Sequence, residues 1–210
     1  MPEHVIWDWN GTLLDDSELC VEIMNGMLDR RGMPTLTLEA YRAAFTFPVR
    51  EYYERLGFDF SVEPFEQLGI EFIDNYESRR HESRLQSDAL RLLEHARSLG
   101  KAQSILSAYT HDTLVELIES HDLSHFFDHT VGLDNIYAGS KIETGLRLMD
   151  SLAHDRDKVL LVGDTLHDVE VAEEMGIRCI LIAHGHQSRE RLEASGVPVL
   201  ETLDALVAHF

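Results

Sequence analysis

Apolar and polar positions change their rhythm twice along the chain. Near the start, Val5-Ile6-Trp7 is a short unbroken apolar run, which predicts a buried strand. From about Asp15 to Leu85 apolar residues recur instead at helical intervals. Asp15 and Glu18 have capping-box spacing, and Leu19, Ile23, Met24, Met27 and Leu28 trace one face until Gly32-Met33-Pro34 ends the element. Further amphipathic helices are predicted from Leu38 to Phe45, Val49 to Leu56 and Pro64 to Arg84, separated by Phe47-Pro48 and Gly57. From Gln86 onward helix and strand alternate. A helix runs to Leu99, then come a strand at Ala102 to Leu106, a helix from Thr110 and a strand near Thr130-Val131. They are followed by a helix from Ile142, a strand at Val159 to Val162, a helix near Val169 to Met175, a strand at Cys179 to Ile182 and a closing helix at Leu203 to His209. This order predicts an α/β fold, a doubly wound parallel sheet made by residues 1–14 and 86–210, with 15–85 as an α-helical insertion. Ligands of such sheets bind beyond the carboxyl ends of the strands.

Composition narrows the class. A chain of 210 residues, 44% apolar, has room for one domain and an insertion. It holds no window of 18 uncharged apolar residues and no basic region ahead of an apolar run, so neither a bilayer span nor a secretory signal is expected. Cys20 and Cys179 are far apart and read as packing residues in a reducing, cytoplasmic compartment. The net charge of −20 repels phosphate backbones and anionic lipid heads, which excludes nucleic acid and membrane surfaces as expected partners.

Candidate chemistry lies where the predicted strands stop. The first strand delivers Asp8, followed by the turn Asn10-Gly11-Thr12. Ser107 follows the apolar QSIL, Lys141 sits in AGSKIE, and Asp164 and Asp168 sit in VLLVGDTLHD. Taken singly, a Ser after a strand caps a turn, a Lys is solvated, and paired acids serve a helix dipole. Brought to one rim, a carboxylate nucleophile, a hydroxyl, a cation and an acidic pair describe magnesium-assisted phosphoryl transfer.

At these residues the chain resembles the haloacid dehalogenase-like (HAD) hydrolases, in particular the phosphoglycolate phosphatase-like and phosphomutase-like branch. The first family motif, Asp-x-Asp-Gly-Thr-Leu, falls on Asp8 to Leu13. The second falls on Ser107, the third on Lys141, and the fourth, Gly-Asp-x-x-x-Asp, on Gly163, Asp164 and Asp168. The resemblance implies that the helical insertion is a cap over the site, and that Asp8 attacks phosphorus to form an aspartyl phosphate. It implies Mg2+ held by Asp8, the main-chain carbonyl of Asn10, Asp164 and Asp168, an oxygen set suited to a hard cation. Gly11 and Thr12 belong to the loop whose backbone N–H groups, with Ser107, Ala108 and Lys141, bind the phosphoryl group. The implied substrate is a small phosphorylated metabolite.

Three positions depart from the family pattern: Asn10 replaces the acid/base Asp, Ala108 stands where Asn is frequent, and Ile142 where Pro is common. Only Asn10 removes a chemical role, because an amide does not exchange a proton near pH 7 and a positioned acid/base contributes roughly 10²–10⁴-fold. His167, His184 and His186 are candidate substitutes. The alternative reading is a catalytically impaired phosphometabolite-binding protein. Other branches fit less well. No Lys precedes Lys101 to form the Schiff base of a phosphonate-cleaving relative, a metal-free dehalogenase has little use for both acids of GDTLHD, and a response-regulator receiver lacks the helical insertion. Arg42 and Arg50, flanking the irregular Phe45-Thr46-Phe47-Pro48, are the expected grip on a second anionic group of the substrate.

Overall fold

In the computed structural model, which describes residues 1–133 and 141–210, the first apolar run becomes the central strand of a sheet. The elements in chain order are β1 (His4–Trp7), β2 (Leu14–Asp15), α1 (Ser17–Asp29), α2 (Leu38–Ala44), α3 (Val49–Leu56), α4 (Phe65–Arg79), β3 (Arg84–Leu85), α5 (Ala89–Ser98), β4 (Ala102–Thr110) and α6 (His111–Ser120). Then follow β5 (His129–Leu133), α7 (Lys141–Ser151), β6 (Val159–Gly163), α8 (Leu166–Met175), β7 (Arg178–Ile182), α9 (Arg189–Glu193) and β8 (Val199–Leu200). Six strands pair in the order β5-β4-β1-β6-β7-β8, and every pairing is parallel. The sheet is Rossmann-like, with apolar layers on both faces. Val5, Trp7, Ile105 and Leu160 pack against α5 and α6 on one side, and Ile6, Leu106 and Leu161 against α7 and α8 on the other. Burial on both faces explains why these strands read as continuous apolar runs rather than alternating ones. Each fully buried aliphatic side chain contributes about 1.5–3 kcal/mol to that packing.

The helical segment has an apolar cluster of its own, built on Met24, Met27, Leu28, Tyr41, Tyr52 and Leu68. Among the described residues, no helix is long and apolar enough to cross a membrane.

The segment is not helical throughout. Leu14-Asp15 and Arg84-Leu85 pair antiparallel, Asp15 opposite Arg84, so a two-stranded ribbon closes the insertion at its root. The helix expected to run to Arg84 stops at Arg79, and a 3₁₀ turn at Arg80–Glu82 leads into the ribbon. Ribbon pairing across nearly the whole insertion has no local sequence signal. Likewise Asp15 and Glu18 form no capping box: Asp16 occupies the N-cap position of α1, and its side chain bonds elsewhere. The closing helix is 3₁₀, and α9 and β8 were not anticipated by periodicity because each is a single turn or pair.

Candidate active site

Register places the functional groups. Trp7 pairs with both Ile105 of β4 and Val162 of β6, so the residues that follow each strand emerge at one edge. Asp8 leaves β1 still tied to β6, its N–H donating to the Val162 carbonyl at 2.9 Å. β4 continues past a register irregularity after Leu106, which puts Ser107 and Ala108 within the strand rather than beyond it. Asp164 follows β6, Asp168 lies in the first turn of α8, and Lys141 opens α7. The Ala-Gly-Ser preceding Lys141 lies outside the described residues.

The turn after Asp8 is tight: Leu13 and Leu14 donate to the Trp9 carbonyl at 3.0 and 2.9 Å. Gly11 has φ +75°, and a Cβ there would run into the Asp164 carboxylate and the His186 ring. Gly185 approaches the same carboxylate from the opposite side, again leaving no room for a Cβ.

At the edge, the buried Lys141 ammonium donates to Asp8 Oδ1 and to Asp168 Oδ1, each at 2.6 Å. The second oxygen of Asp168 accepts from Thr165 Oγ1 at 2.8 Å and from the Thr165 and Asp164 amides at 3.0 and 3.2 Å, so this carboxylate also caps α8. Asp164 accepts from the His186 amide at 2.5 Å. Thr12 Oγ1 lies within hydrogen-bond distance of Asp8 (3.4 Å) and Asp164 (3.2 Å).

Burial pushes the Asp8 carboxyl up against the pull of Lys141. Burial acts in the same sense on Asp168, but Lys141 and Thr165 outweigh it and hold that carboxyl below the usual range. Asp164, buried and facing Asp8 and Asp168, is pushed up to about 8 despite His186. Burial alone would lower Lys141; its two carboxylates hold it above its ordinary value instead.

One lysine thus faces three carboxylates whose ligand atoms lie within 4.8 Å of one another. The donor set is all oxygen, and three buried carboxylates share the charge of one lysine. Both features fit a divalent hard cation.

A second buried network adjoins this one. Asn10 Nδ2 donates to Asp16 Oδ2 and to the Tyr76 hydroxyl, both at 2.8 Å, and that hydroxyl donates to Asp16 Oδ2 at 2.8 Å. Asp16 Oδ1 accepts from the Gly11 amide at 2.9 Å and pairs with His186 Nε2 at 3.2 Å; His186 Nδ1 meets the Tyr41 hydroxyl at 2.8 Å. Burial works against ionisation of both partners, yet their mutual attraction wins: Asp16 stays below its usual value and His186 is raised to about 9.

Asp8, Asn10, Ser107, Ala108, Lys141, Asp164 and Asp168 thus line a single cavity of about 230 Å³. Gly11 and Thr12 support it from below: the Gly11 N–H is engaged by Asp16, and the Thr12 hydroxyl is turned toward carboxylates rather than the cavity.

The two arginines lie elsewhere. Arg42 Nε donates to the Gly185 carbonyl at 2.7 Å and Nη2 to the His184 carbonyl, so its guanidinium latches α2 to the loop after β7. Arg50 is half exposed beside Glu54, its guanidinium 4.4 Å from the Phe60 ring centroid. Neither lines the cavity, because the carbonyls of His184 and Gly185 and the partly buried Phe60 ring offered them nearer partners.

Of the three histidines, His167 stacks on Phe47 with 4.9 Å between centroids and meets Glu170, and His184 contacts the Thr12 carbonyl at 3.2 Å. Asp16, Tyr41 and Tyr76 escaped sequence reasoning, for Asp16 is one of four acids from Asp8 to Glu18 and the tyrosines lie in predicted helices with no motif around them. Cys20 and Cys179 are free and buried, as packing residues are.

A Rossmann-like parallel sheet carries an acidic, lysine-bridged cluster at its carboxyl edge. The chain belongs to the haloacid dehalogenase-like hydrolase family, whose model matches residues 5–182. It is 22% identical to a phosphoglycolate phosphatase of Pseudomonas syringae pv. tomato, over 99% of this chain and 79% of the relative. It is 21% identical to the tyrosine-protein kinase PtkA of Mycobacterium tuberculosis, over 98% of this chain and 71% of the relative. A haloacid dehalogenase-like family hydrolase from Streptococcus pneumoniae superposes with a TM-score of 0.85 at 18% identity, covering 100% of this chain and 98% of that one.

Proposed function

We propose that the protein is a magnesium-dependent phosphatase of a small phosphomonoester, working in the cytoplasm through an aspartyl phosphate on Asp8. The observation that carries this reading is the Lys141 bridge, 2.6 Å to both Asp8 and Asp168, beside the third carboxylate of Asp164. A carboxylate held by a buried ammonium is fixed in orientation, and the ammonium offsets part of the burial that works against its ionisation, as a nucleophile requires. Attack by Asp8 on phosphorus breaks the ester P–O bond, and attack by water on the acyl phosphate then returns Asp8 and releases phosphate. Lys141 and the Ser107 hydroxyl offset charge on the phosphoryl oxygens in both steps. Asp8, Asp164, Asp168 and the main chain at Asn10 would hold Mg2+, which when bound neutralises substrate charge and the excess charge of the carboxylates. The helical segment 15–85 serves as the cap, excluding water from the reacting group.

The relatives' names support phosphate chemistry and leave the substrate open, since one is a phosphatase and another a kinase at nearly equal identity. Asn10 favours a second reading, an impaired phosphate-binding protein, because its amide is held by Asp16 and Tyr76 and relays no proton. One experiment decides. Mg2+-dependent phosphate release and labelling of the protein by a ³²P ester should both vanish in Asp8→Asn. Retention of full turnover in that variant refutes the nucleophile assignment, whereas a parent that binds phosphate with Mg2+ and releases none supports the binder.

A further inference from the structure

The cavity has two unlike ends. Its floor is the charged edge of the sheet, while its roof, contributed by the helical segment, is aromatic and aliphatic: Phe45, Phe47, Tyr52, Phe65, Phe72 and Ile73. Among the described residues lining it there is no arginine, and each basic side chain present already has a partner. Lys141 serves Asp8 and Asp168, His186 serves Asp16, and His167 meets Glu170 and stacks on Phe47. The formal charges on the roof side are those of Glu66 and of Glu77, the latter already paired with Arg80. A substrate with a second anionic group beyond its phosphate would therefore leave that group unpaired among rings and facing carboxylates. Such an arrangement is strongly unfavourable.

Asn10 constrains the leaving group independently. Its side chain offers no acid, and both of its N–H bonds are spent on Asp16 and Tyr76. A leaving oxygen that departs without a proton must be a weak base. A phenol, with a pKa near the ~10 of a tyrosine side chain, meets that demand, whereas an alcohol does not.

Resting on the phosphatase reading, we propose that the substrate is an aryl phosphomonoester, its ring in the aromatic chamber and its phosphoryl group at Asp8. In the first step a bond forms from Asp8 to phosphorus and the P–O(aryl) bond breaks. The electron pair leaves on the phenolate oxygen, which takes its proton from water after departure. The size agrees: an apolar cavity of roughly 150 Å³ accepts benzene, so about 230 Å³ admits a ring joined to a phosphoryl group.

The test compares phenyl phosphate, benzyl phosphate and 2-phosphoglycolate with Mg2+ in the full chain, alongside calorimetric binding of the non-hydrolysable phenylphosphonate and phosphonoacetate. Phenyl phosphate should exceed phosphoglycolate in kcat/KM by at least about tenfold, and phenylphosphonate should bind more tightly by a similar factor, the discrimination an apolar pocket commonly achieves. Benzyl phosphate, with the same ring but an alkyl leaving oxygen, should fall below phenyl phosphate in kcat/KM, which reports the step that breaks the ester P–O bond. Ile73→Arg, which places a cation in the chamber, should shift the preference toward phosphonoacetate; Phe72→Leu, a gentler change, should weaken phenylphosphonate alone. Equal or better use of phosphoglycolate, tighter binding of phosphonoacetate, or no binding of either phosphonate overturns the assignment. Equal kcat/KM for benzyl and phenyl phosphate overturns it too. If phosphoglycolate is preferred, the phosphatase reading survives and this one fails. If phenylphosphonate binds selectively while no ester is hydrolysed, the chamber stands and the phosphatase reading fails.

Discussion

At the scale of single residues, Asn10 acquires a structural reason. A carboxylate at position 10 would sit against the buried Asp16 carboxylate, which the Asn10 amide now approaches at 2.8 Å. Two carboxylates that close cannot both ionise at modest cost. Asn10→Asp should therefore lower stability by about 1–3 kcal/mol, the penalty of an unmatched buried polar group. Adding Asp16→Asn restores the donor and acceptor count between the two positions, while depriving His186 of its counter-ion. Urea denaturation of both single variants and the double variant measures the coupling as a double-mutant cycle, and a favourable interaction energy of about 1 kcal/mol is expected. Strict additivity, with Asn10→Asp as stable as the parent, would show that Asn10 is not fitted to Asp16. Sequence reasoning saw the missing acid at position 10 but not its neighbour, since contact between Asn10, Asp16 and Tyr76 spans residues with no shared pattern.

At the scale of elements, α2 and the loop after β7 behave as one joint. Besides the Arg42 guanidinium on the carbonyls of His184 and Gly185, the Ser188 amide donates to the Arg42 carbonyl at 3.0 Å and Gln187 Nε2 to the Phe45 carbonyl at 3.1 Å. The loop so held also carries His186 and the glycine that packs on Asp164. Arg42→Ala should therefore lower stability by about 1–3 kcal/mol and change KM by the same factor for every phosphoester, because the guanidinium touches the protein rather than the cavity. Thermal denaturation and KM values for two unlike esters test this, and a selective change in KM would return Arg42 to substrate recognition. Helix positions in this segment were legible from apolar spacing, whereas the direction of Arg42 depended on which carbonyls the fold left unpaired.

At the scale of the whole molecule, a net charge of −20 is concentrated further by the acidic rim at the carboxyl edge of the sheet. Relief of that repulsion gives Mg2+ a direct thermodynamic signature. An ion that binds only the folded state stabilises it by about 2.7 kcal/mol at a hundredfold excess over its Kd, so Tm should rise with Mg2+ concentration and return on chelation. Asp164→Asn, which removes one of the three carboxylates, should flatten that dependence. A Tm indifferent to Mg2+ in the parent would speak against the metal set without reference to turnover.

The chain alone determined the alternation of helices and strands, and hence the parallel sheet, because strands buried on both faces must be apolar throughout. It also marked Asp8, Ser107, Lys141, Asp164 and Asp168 as candidate chemistry, although Ser107 proved to lie within β4 and Lys141 to open α7. Tertiary structure decided what those residues do to one another. Strand register brought Asp8 and Asp168 to a single lysine, separated in sequence by 133 and 27 residues from it. Packing of α1 and α4 against the first turn set Asp16 and Tyr76 around Asn10, and the pairing of β2 with β3 tied the two ends of the helical segment together. The roof followed from the same cause: apolar spacing placed helices around Phe65 and Phe72 and an irregular segment at Phe45 and Phe47, and only the cavity they enclose separates a buried face from a chamber for a ring. Periodicity reports that a face is apolar; whether protein or ligand covers it depends on contacts distant in the chain.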